Sequence, residues 1–154
     1  MLRAILGVIV GFFVALGVVE GGDAAAWWVF GADALFKDGV WDVTFIWIIL
    51  SILIYVIAGL FGGGVCEVVA SKGTRAAIVL AGVVLVAGSL EAKNLKKNTD
   101  AQSATTRQIE VKRFESMQYA RIPTLARFGN PIFAVIGILV GAEIIRRKGA
   151  APVT

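Results

Sequence analysis

The chain has 154 residues, of which 58% are hydrophobic, and its mean hydropathy is +0.82. This composition is too apolar for an ordinary soluble domain and fits one membrane domain. The sequence contains no histidine, which excludes histidine-held haem or chlorophyll, imidazole metal sites and histidine general bases. The net charge of +4 would suggest an anionic partner for a soluble protein, but here it is better explained by cations that flank the spans and contact lipid headgroups. The single cysteine, Cys66, excludes an internal disulfide.

The first apolar stretch covers residues 4 to 19 and follows Arg3, so it is predicted to be the first membrane span. A cleaved signal peptide is the rival interpretation, because the alanines at 24 to 26 have the spacing of a cleavage site. The stretch is long and contains three glycines, and an acidic segment separates it from the alanines. These features favour a retained helix.

Residues 20 to 42 combine five acidic side chains with five aromatic ones and a single lysine. Aromatic rings with a polar edge favour the level of the lipid headgroups. We therefore predict a first loop that lies at the membrane interface, with a helix over residues 24 to 36. The alternative interpretation is an aromatic-lined surface that binds a partner subunit or a lipid.

The second span is predicted over residues 43 to 65, in a run without a charged side chain that extends to Cys66. A bilayer core needs roughly 20 apolar residues in a helix, and this run supplies them. A short basic turn with Lys72 and Arg75 follows, and a third span is predicted over residues 76 to 90.

Residues 91 to 130 are polar and rich in cations, and they are predicted to form a long loop. Within it, residues 103 to 119 fit a short strand and an amphipathic helix equally well. The fourth span is predicted over residues 131 to 145, because Asn130 is a good N-cap and Pro131 suits the first helical position. The sequence therefore predicts an all-α integral membrane four-helix bundle, a single domain with an interfacial first loop and a long polar loop between spans 3 and 4.

Small residues recur along all four predicted spans, and in the first, third and fourth spans the spacing is four residues. Side chains at this spacing share a helix face, where the backbone of another helix can approach closely. The glycine triplet of the second span lacks the lysine and the spacing of a phosphate-binding loop, so packing or a bend is the better interpretation. The predicted helix-packing residues are Gly7, Gly11, Ala15, Gly62, Gly63, Gly64, Gly137 and Gly141.

The cations predict an orientation in the membrane. Arg3, the turn with Lys72 and Arg75, and residues 146 to 148 all fall on one side of a four-span chain. Short basic segments favour the cytoplasm, so a multi-pass protein with both termini in the cytoplasm is predicted. The long basic loop then lies outside, where it contacts anionic headgroups or an acidic partner and not nucleic acid.

A set of residues spread over most of the chain forms a recognisable pattern. Its members are Gly11, Phe12, Ala15, Glu20, the glycines 62 to 64, Lys72, Arg75 and Pro131. The pattern resembles a group of small bacterial inner-membrane proteins with four spans and uncharacterised function. The long loop over 91 to 130 and Glu67 depart from it. The resemblance implies a bacterial inner-membrane location and no particular activity.

The sequence has no Ser–His or Cys–His pair, no cluster of metal-ligand residues and no nucleotide-binding loop, so a non-catalytic protein without a cofactor is predicted. The small-residue stripes favour a structural or accessory subunit that contacts lipid and packs against its own copies or within a larger membrane complex. The alternative is a small oligomeric transporter or channel that uses Glu67, because ionisable residues within spans are functional candidates. In the structural interpretation, Glu67 lies at the cytoplasmic interface near Lys72 and Arg75.

Overall fold

A computed structural model describes residues 1–71, 74–101 and 120–148, and these residues form four α-helices and no strand. The helices are α1 (Leu2–Leu35), α2 (Phe45–Val69), α3 (Thr74–Ala101) and α4 (Thr124–Lys148). Each contains a stretch that is long and apolar enough to cross a membrane. The prediction of an all-α chain with four candidate spans is confirmed, and the chain is a multi-pass membrane protein by this criterion.

The first helix is longer than predicted. It continues through Glu20 and Asp23 and ends at Leu35, so the predicted loop over residues 20 to 42 shrinks to residues 36 to 44. Hydropathy marks where a helix becomes polar, but alanines and glutamate sustain a helix in a polar stretch. The only non-helical residue inside α1 is Gly31, whose φ of 69° and ψ of 175° are accessible essentially to glycine alone.

The third and fourth helices also extend beyond their predicted spans. α3 continues past Leu90 to Ala101, and α4 begins at Thr124, so much of the predicted loop over residues 91 to 130 is helical. The prediction that Asn130 caps the fourth helix is wrong, because Asn130 and Pro131 lie inside α4. The segment from 103 to 119, predicted as a strand or a helix, lies outside the described residues.

Small residues fill the inside of the bundle, and large apolar side chains point outward. Most of the buried apolar residues in the described part of the chain are alanines. Large exposed side chains include Phe13, Trp28, Phe45, Phe61 and Val86. This arrangement suits a lipid surround, where helices associate through close backbone packing and not through burial of large apolar groups.

The closest helix pair is α2 with α4, and the two helices run parallel. A Cβ on Gly63 would collide with the carbonyl oxygen of Ile138, and one on Gly141 would collide with that of Leu60. Gly137 is equally close to the carbonyl oxygen of Val56. Glycine is therefore required at these positions for the two backbones to touch.

α1 packs antiparallel along α2 through a second set of small residues. A Cβ on Gly7 would lie 2.8 Å from the carbonyl oxygen of Cys66, and one on Gly11 would lie 2.7 Å from that of Gly62. A Cβ on Gly62 would in turn lie 2.8 Å from the Cβ of Ala15, which is buried. The predicted stripes of α1 and α4 thus contact α2 of the same chain.

α3 completes the bundle by packing along α4 and, less extensively, along α1. A Cβ on Gly88 would lie 2.5 Å from Cγ of Pro131, so this glycine admits the proline ring of α4. Farther along the bundle, Leu80 of α3 packs into a buried cluster with Cys66 of α2 and Ile138 of α4. This cluster fills the space between the helices at that level.

The loop from 36 to 44 folds over one end of the bundle. Thr44 begins α2, since its hydroxyl oxygen accepts a hydrogen bond from the Trp47 amide at 3.4 Å. The same hydroxyl donates to the carbonyl oxygen of Ala34 at 2.7 Å, which ties the end of α1 to the start of α2.

Side chains of this loop and of the end of α1 form a second buried cluster, and we name it the end cap. Asp42 forms a backbone bridge with Arg121, which brings the segment before α4 into the same layer. The buried members of the end cap are Leu35, Phe36, Trp41 and Val43. The end cap covers one end of the bundle, and the cluster around Leu80 closes its middle.

Candidate functional site

Between the end cap and the cluster around Leu80 the four helices enclose a partly open cavity of about 290 Å³. Every helix contributes to its wall. This volume is close to the lower end of the range for small-molecule sites, about 300 to 1,000 Å³. The polar residues of the wall are Glu20, Asp23, Tyr55, Glu91, Arg127 and Asn130.

The described residues of the cavity wall carry more negative than positive groups. They include three carboxylates, on Glu20, Asp23 and Glu91, and one guanidinium, on Arg127, which is an excess of two negative charges among these residues. Asp23 and Arg127 are half-buried, whereas Glu20 and Glu91 are exposed. A polar wall with this charge balance attracts cations.

Asn130 supplies a hydrogen-bond acceptor at the wall. Its side chain is 8% exposed, and Oδ1 is buried with no hydrogen-bond partner. A buried acceptor without a partner costs about 1–3 kcal/mol. Asn130 reaches the wall because α4 begins at Thr124, which makes Asn130 an interior helical residue.

The remaining wall is mostly apolar and includes aromatic rings. Phe12, Trp47 and Tyr55 contribute rings from α1 and α2. Leu16 of α1 and Ala87 of α3 line the cavity and are also exposed. The cavity therefore opens sideways between α1 and α3, toward the surface that lipid would cover.

Glu67 lies far from this cavity, beyond the cluster around Leu80. Glu67 is 1% exposed, and neither carboxylate oxygen has a hydrogen-bond partner, so near this end of α2 its side chain lies inside the bundle. Its proposed neighbour Lys72 lies outside the described residues. Glu67 lines a second, small cavity of about 40 Å³ together with Glu143 and Arg146 of α4.

Glu143 forms local ion pairs at the end of α4. Its carboxylate accepts from Arg146 at 2.5 Å and from Arg147 at 2.8 Å. These are the spacings of three and four residues that the sequence offers on one helix face. The pairs are largely exposed, so they orient the side chains but add little to stability.

The residues described do not form a metal centre of ordinary composition. Within 1–71, 74–101 and 120–148, no group of three or more His, Cys, Asp or Glu side chains is placed to hold a metal ion. The carboxylates of the large cavity are spread around its wall and are not gathered at one point.

Sequence reasoning missed the large cavity. It placed Glu20 at the interface, Tyr55 within the second span and the other polar residues of the wall in loops. One signal was present: Glu20 and Asp23 are three residues apart and share a helix face if the helix continues. The contributions of Glu91, Arg127 and Asn130 require the packing of α3 and α4 and have no local signal.

No protein-family model, curated protein or solved structure matches this chain. The fold and the site therefore define a class and no family: a multi-pass membrane protein with four candidate spans around an internal polar cavity.

Proposed function

We propose that this protein is a small membrane carrier that binds small organic cations with an apolar body in the cavity between its four helices. The observation that supports this is the cavity wall itself, which combines excess negative charge with a buried, unpartnered acceptor on Asn130. The stripes that favoured an accessory subunit are occupied by contacts within the chain. The cavity, by contrast, brings together polar side chains from all four helices.

The chemistry of the wall selects the class of ligand. A cationic group is favoured by the carboxylates, and an N–H donor would satisfy Oδ1 of Asn130 once the amide turns toward the cavity. An apolar body suits the aliphatic and aromatic part of the wall, and rings of Trp47 and Tyr55 attract a cation through their faces. The sideways opening suits a ligand that also partitions into the membrane.

Three ligands of similar size and different charge test the binding step. We expect phenethylammonium to bind the protein in nanodiscs of neutral lipid, and phenylacetate and 2-phenylethanol to bind at least about tenfold more weakly. Isothermal titration calorimetry measures the affinities, and Trp47 in the wall provides a fluorescence signal. Equal affinity for the cation and the anion would overturn the assignment of the ligand class.

Transport is tested separately with labelled phenethylammonium in proteoliposomes. Protein-free liposomes give the passive leak, and the carrier is expected to exceed it. If phenethylammonium binds but its uptake does not exceed the passive leak, the binding site is supported and the transport function is contradicted.

A structural or accessory subunit is the second candidate. The opening between α1 and α3 supports it, because a helix of another membrane protein can cover the exposed residues Leu16 and Ala87. Native mass spectrometry of protein extracted gently from its own membrane distinguishes the candidates. A stable complex with another membrane protein favours the subunit, whereas a homo-oligomer or a monomer with lipid favours the carrier.

We infer that both termini face the cytoplasm of a bacterial inner membrane. In support, the guanidinium of Arg3 donates to the hydroxyl of Ser71 at 3.4 Å, so the basic start of α1 and the turn after α2 share one end. The cations Arg146, Arg147 and Lys148 end α4, which runs parallel to α2. Short basic segments at one end favour the cytoplasm.

Labelling of single cysteines checks this orientation. In a Cys66→Ala background, we expect Asp38→Cys to react with an impermeant maleimide in spheroplasts. Lys148→Cys is expected to react only after lysis. Both positions are exposed, so access to the reagent depends on the side of the membrane. The reverse pattern would invert the topology.

A further inference from the structure

We propose that the organic cation of the large cavity is a single-chain amine, whose ammonium group binds beside Glu20 and Glu91 and whose alkyl chain points toward the cluster around Leu80. This assignment rests on the proposed function and adds to it the substrate class and the orientation of the bound molecule. The supporting observation is that polar and apolar residues of the described wall lie at different levels along the bundle.

The end of the cavity next to the cluster around Leu80 is apolar. Phe12 of α1 and Val84 of α3 line the cavity here, and both side chains pack against that cluster. Ile138 of α4 belongs to the cluster and also lines the cavity. An alkyl chain suits this end, because it needs no hydrogen-bond partner and packs against apolar side chains.

The other end of the cavity, next to the end cap, is polar. Trp47 lines the cavity there and packs against the end cap. Glu20 lies eight residues after Phe12, which is about 12 Å along α1 in the direction of the end cap. Glu91 lies seven residues after Val84, which is about 10 Å along α3 in the same direction. The two carboxylates therefore share a level well above the apolar end.

The sideways opening connects the two levels. Leu16 of α1 is four residues from Phe12 and four from Glu20, and Ala87 of α3 likewise lies between the levels. Both residues line the cavity and are exposed between α1 and α3. Head groups in a lipid leaflet lie at its surface and chains lie inside, which is the same order of levels. A single-chain amine in the adjacent leaflet therefore enters the cavity without inverting.

The charges of the wall favour an amine with a net positive charge over a zwitterionic phospholipid. Glu20 and Glu91 are exposed and belong to the two helices beside the opening, so an ammonium group meets them first. Hydrogen bonds from an ammonium to a carboxylate are charge-assisted and stronger than neutral ones. A phosphate would meet the same carboxylates and be repelled, since the described wall carries two negative charges in excess.

Two amines that differ only in chain length test the orientation. Val84→Trp places a large ring at the apolar end, and we expect it to weaken octylammonium at least about tenfold more than butylammonium. Val83→Trp adds the same ring to the exposed outside of α3 and is expected to leave both affinities unchanged. All proteins are compared in phosphatidylcholine nanodiscs, so partitioning into the lipid cancels. Equal losses for the two amines in Val84→Trp would overturn the orientation.

Glu91→Gln tests the position of the ammonium group. We expect it to weaken butylammonium and octylammonium by a similar factor, about tenfold, because both carry the same head. Unchanged affinity for both amines would overturn this position. Replacing part of the phosphatidylcholine with phosphatidylethanolamine is expected to leave octylammonium binding to wild type unchanged. A loss of binding there would assign the site to a phospholipid and overturn the single-chain amine.

Photolabelling locates the chain in wild type without any substitution. The probe is octylammonium with a diazirine on its terminal carbon, and excess octylammonium identifies the specific adducts. We expect adducts on the segments that contain Phe12, Val84 or Ile138, and specific adducts confined to the segments around Trp47 and Ile122 would overturn the orientation. If phenethylammonium binds and the apolar end is not labelled, only this inference fails. If neither phenethylammonium nor octylammonium binds, the proposed function fails with it.

Discussion

Gly63→Ala is expected to destabilise the folded bundle by about 1–3 kcal/mol, whereas Gly64→Ala is expected to leave its stability unchanged or raise it by up to about 1 kcal/mol. The two glycines are neighbours in one triplet of α2. A Cβ on Gly63 would collide with the backbone carbonyl of Ile138, which no side-chain rotation can relieve. A Cβ on Gly64 would lie 3.5 Å from Cγ1 of Ile145, an ordinary contact distance.

Gly63→Ala and Gly64→Ala differ only in whether the added methyl group meets α4 at close range. Both substitutions raise helix propensity by the same amount, and both add one methyl group to the same membrane span. Equilibrium unfolding in mixtures of mild detergent and sodium dodecyl sulfate, followed by tryptophan fluorescence, measures the difference. Equal stability of the two variants would mean that α2 and α4 do not pack through Gly63.

Asp23→Asn and Arg127→Gln are expected to change the affinity for phenethylammonium in opposite directions. Both side chains are half-buried in the wall of the large cavity. Among the described residues of the wall, Asp23→Asn removes one of the two excess negative charges, and Arg127→Gln raises the excess to three. A unit charge a few ångströms away contributes about 1–4 kcal/mol in surroundings of intermediate polarity, so about tenfold or more is expected each way.

Opposite changes in affinity distinguish an electrostatic effect from damage to the fold. A variant that merely loosens the cavity weakens binding whatever its charge, so weaker binding in both would contradict the proposal. Asp38→Asn removes a carboxylate from the exposed loop outside the cavity and serves as the charge control. Its affinity for phenethylammonium is expected to match wild type. Calorimetry in nanodiscs of neutral lipid measures all four proteins.

The helix ends show where local sequence information stops. The predicted spans ended at changes in hydropathy, but α1 continues to Leu35 and α4 begins at Thr124. Hydropathy reports the preference of a segment for lipid or water. A helix ends where caps and tertiary contacts end it, and here Thr44 and the end cap supply those contacts.

Asn130 and Glu67 show the same limit. The pair Asn130-Pro131 has the form of a helix start, so the local pattern indicated an N-cap, but the backbone before it is already helical. Glu67 lies five residues before Lys72, and this local pattern gave no sign that α3 and α4 bury its side chain. Neither the helical position of Asn130 nor the burial of Glu67 could be predicted, because both depend on helices that are distant in sequence.

By itself the sequence determined the class of this protein: four helices long and apolar enough to cross a membrane, with small residues at helical spacing. Length, hydropathy and spacing are properties of single segments, so they can be read without knowing the partners of a segment. Only the tertiary structure decided that the stripes meet α2 of the same chain, that Glu20, Glu91 and Asn130 share one cavity, and that Glu67 is buried. These are relations between faces of different helices, and packing of the whole bundle selects which faces meet.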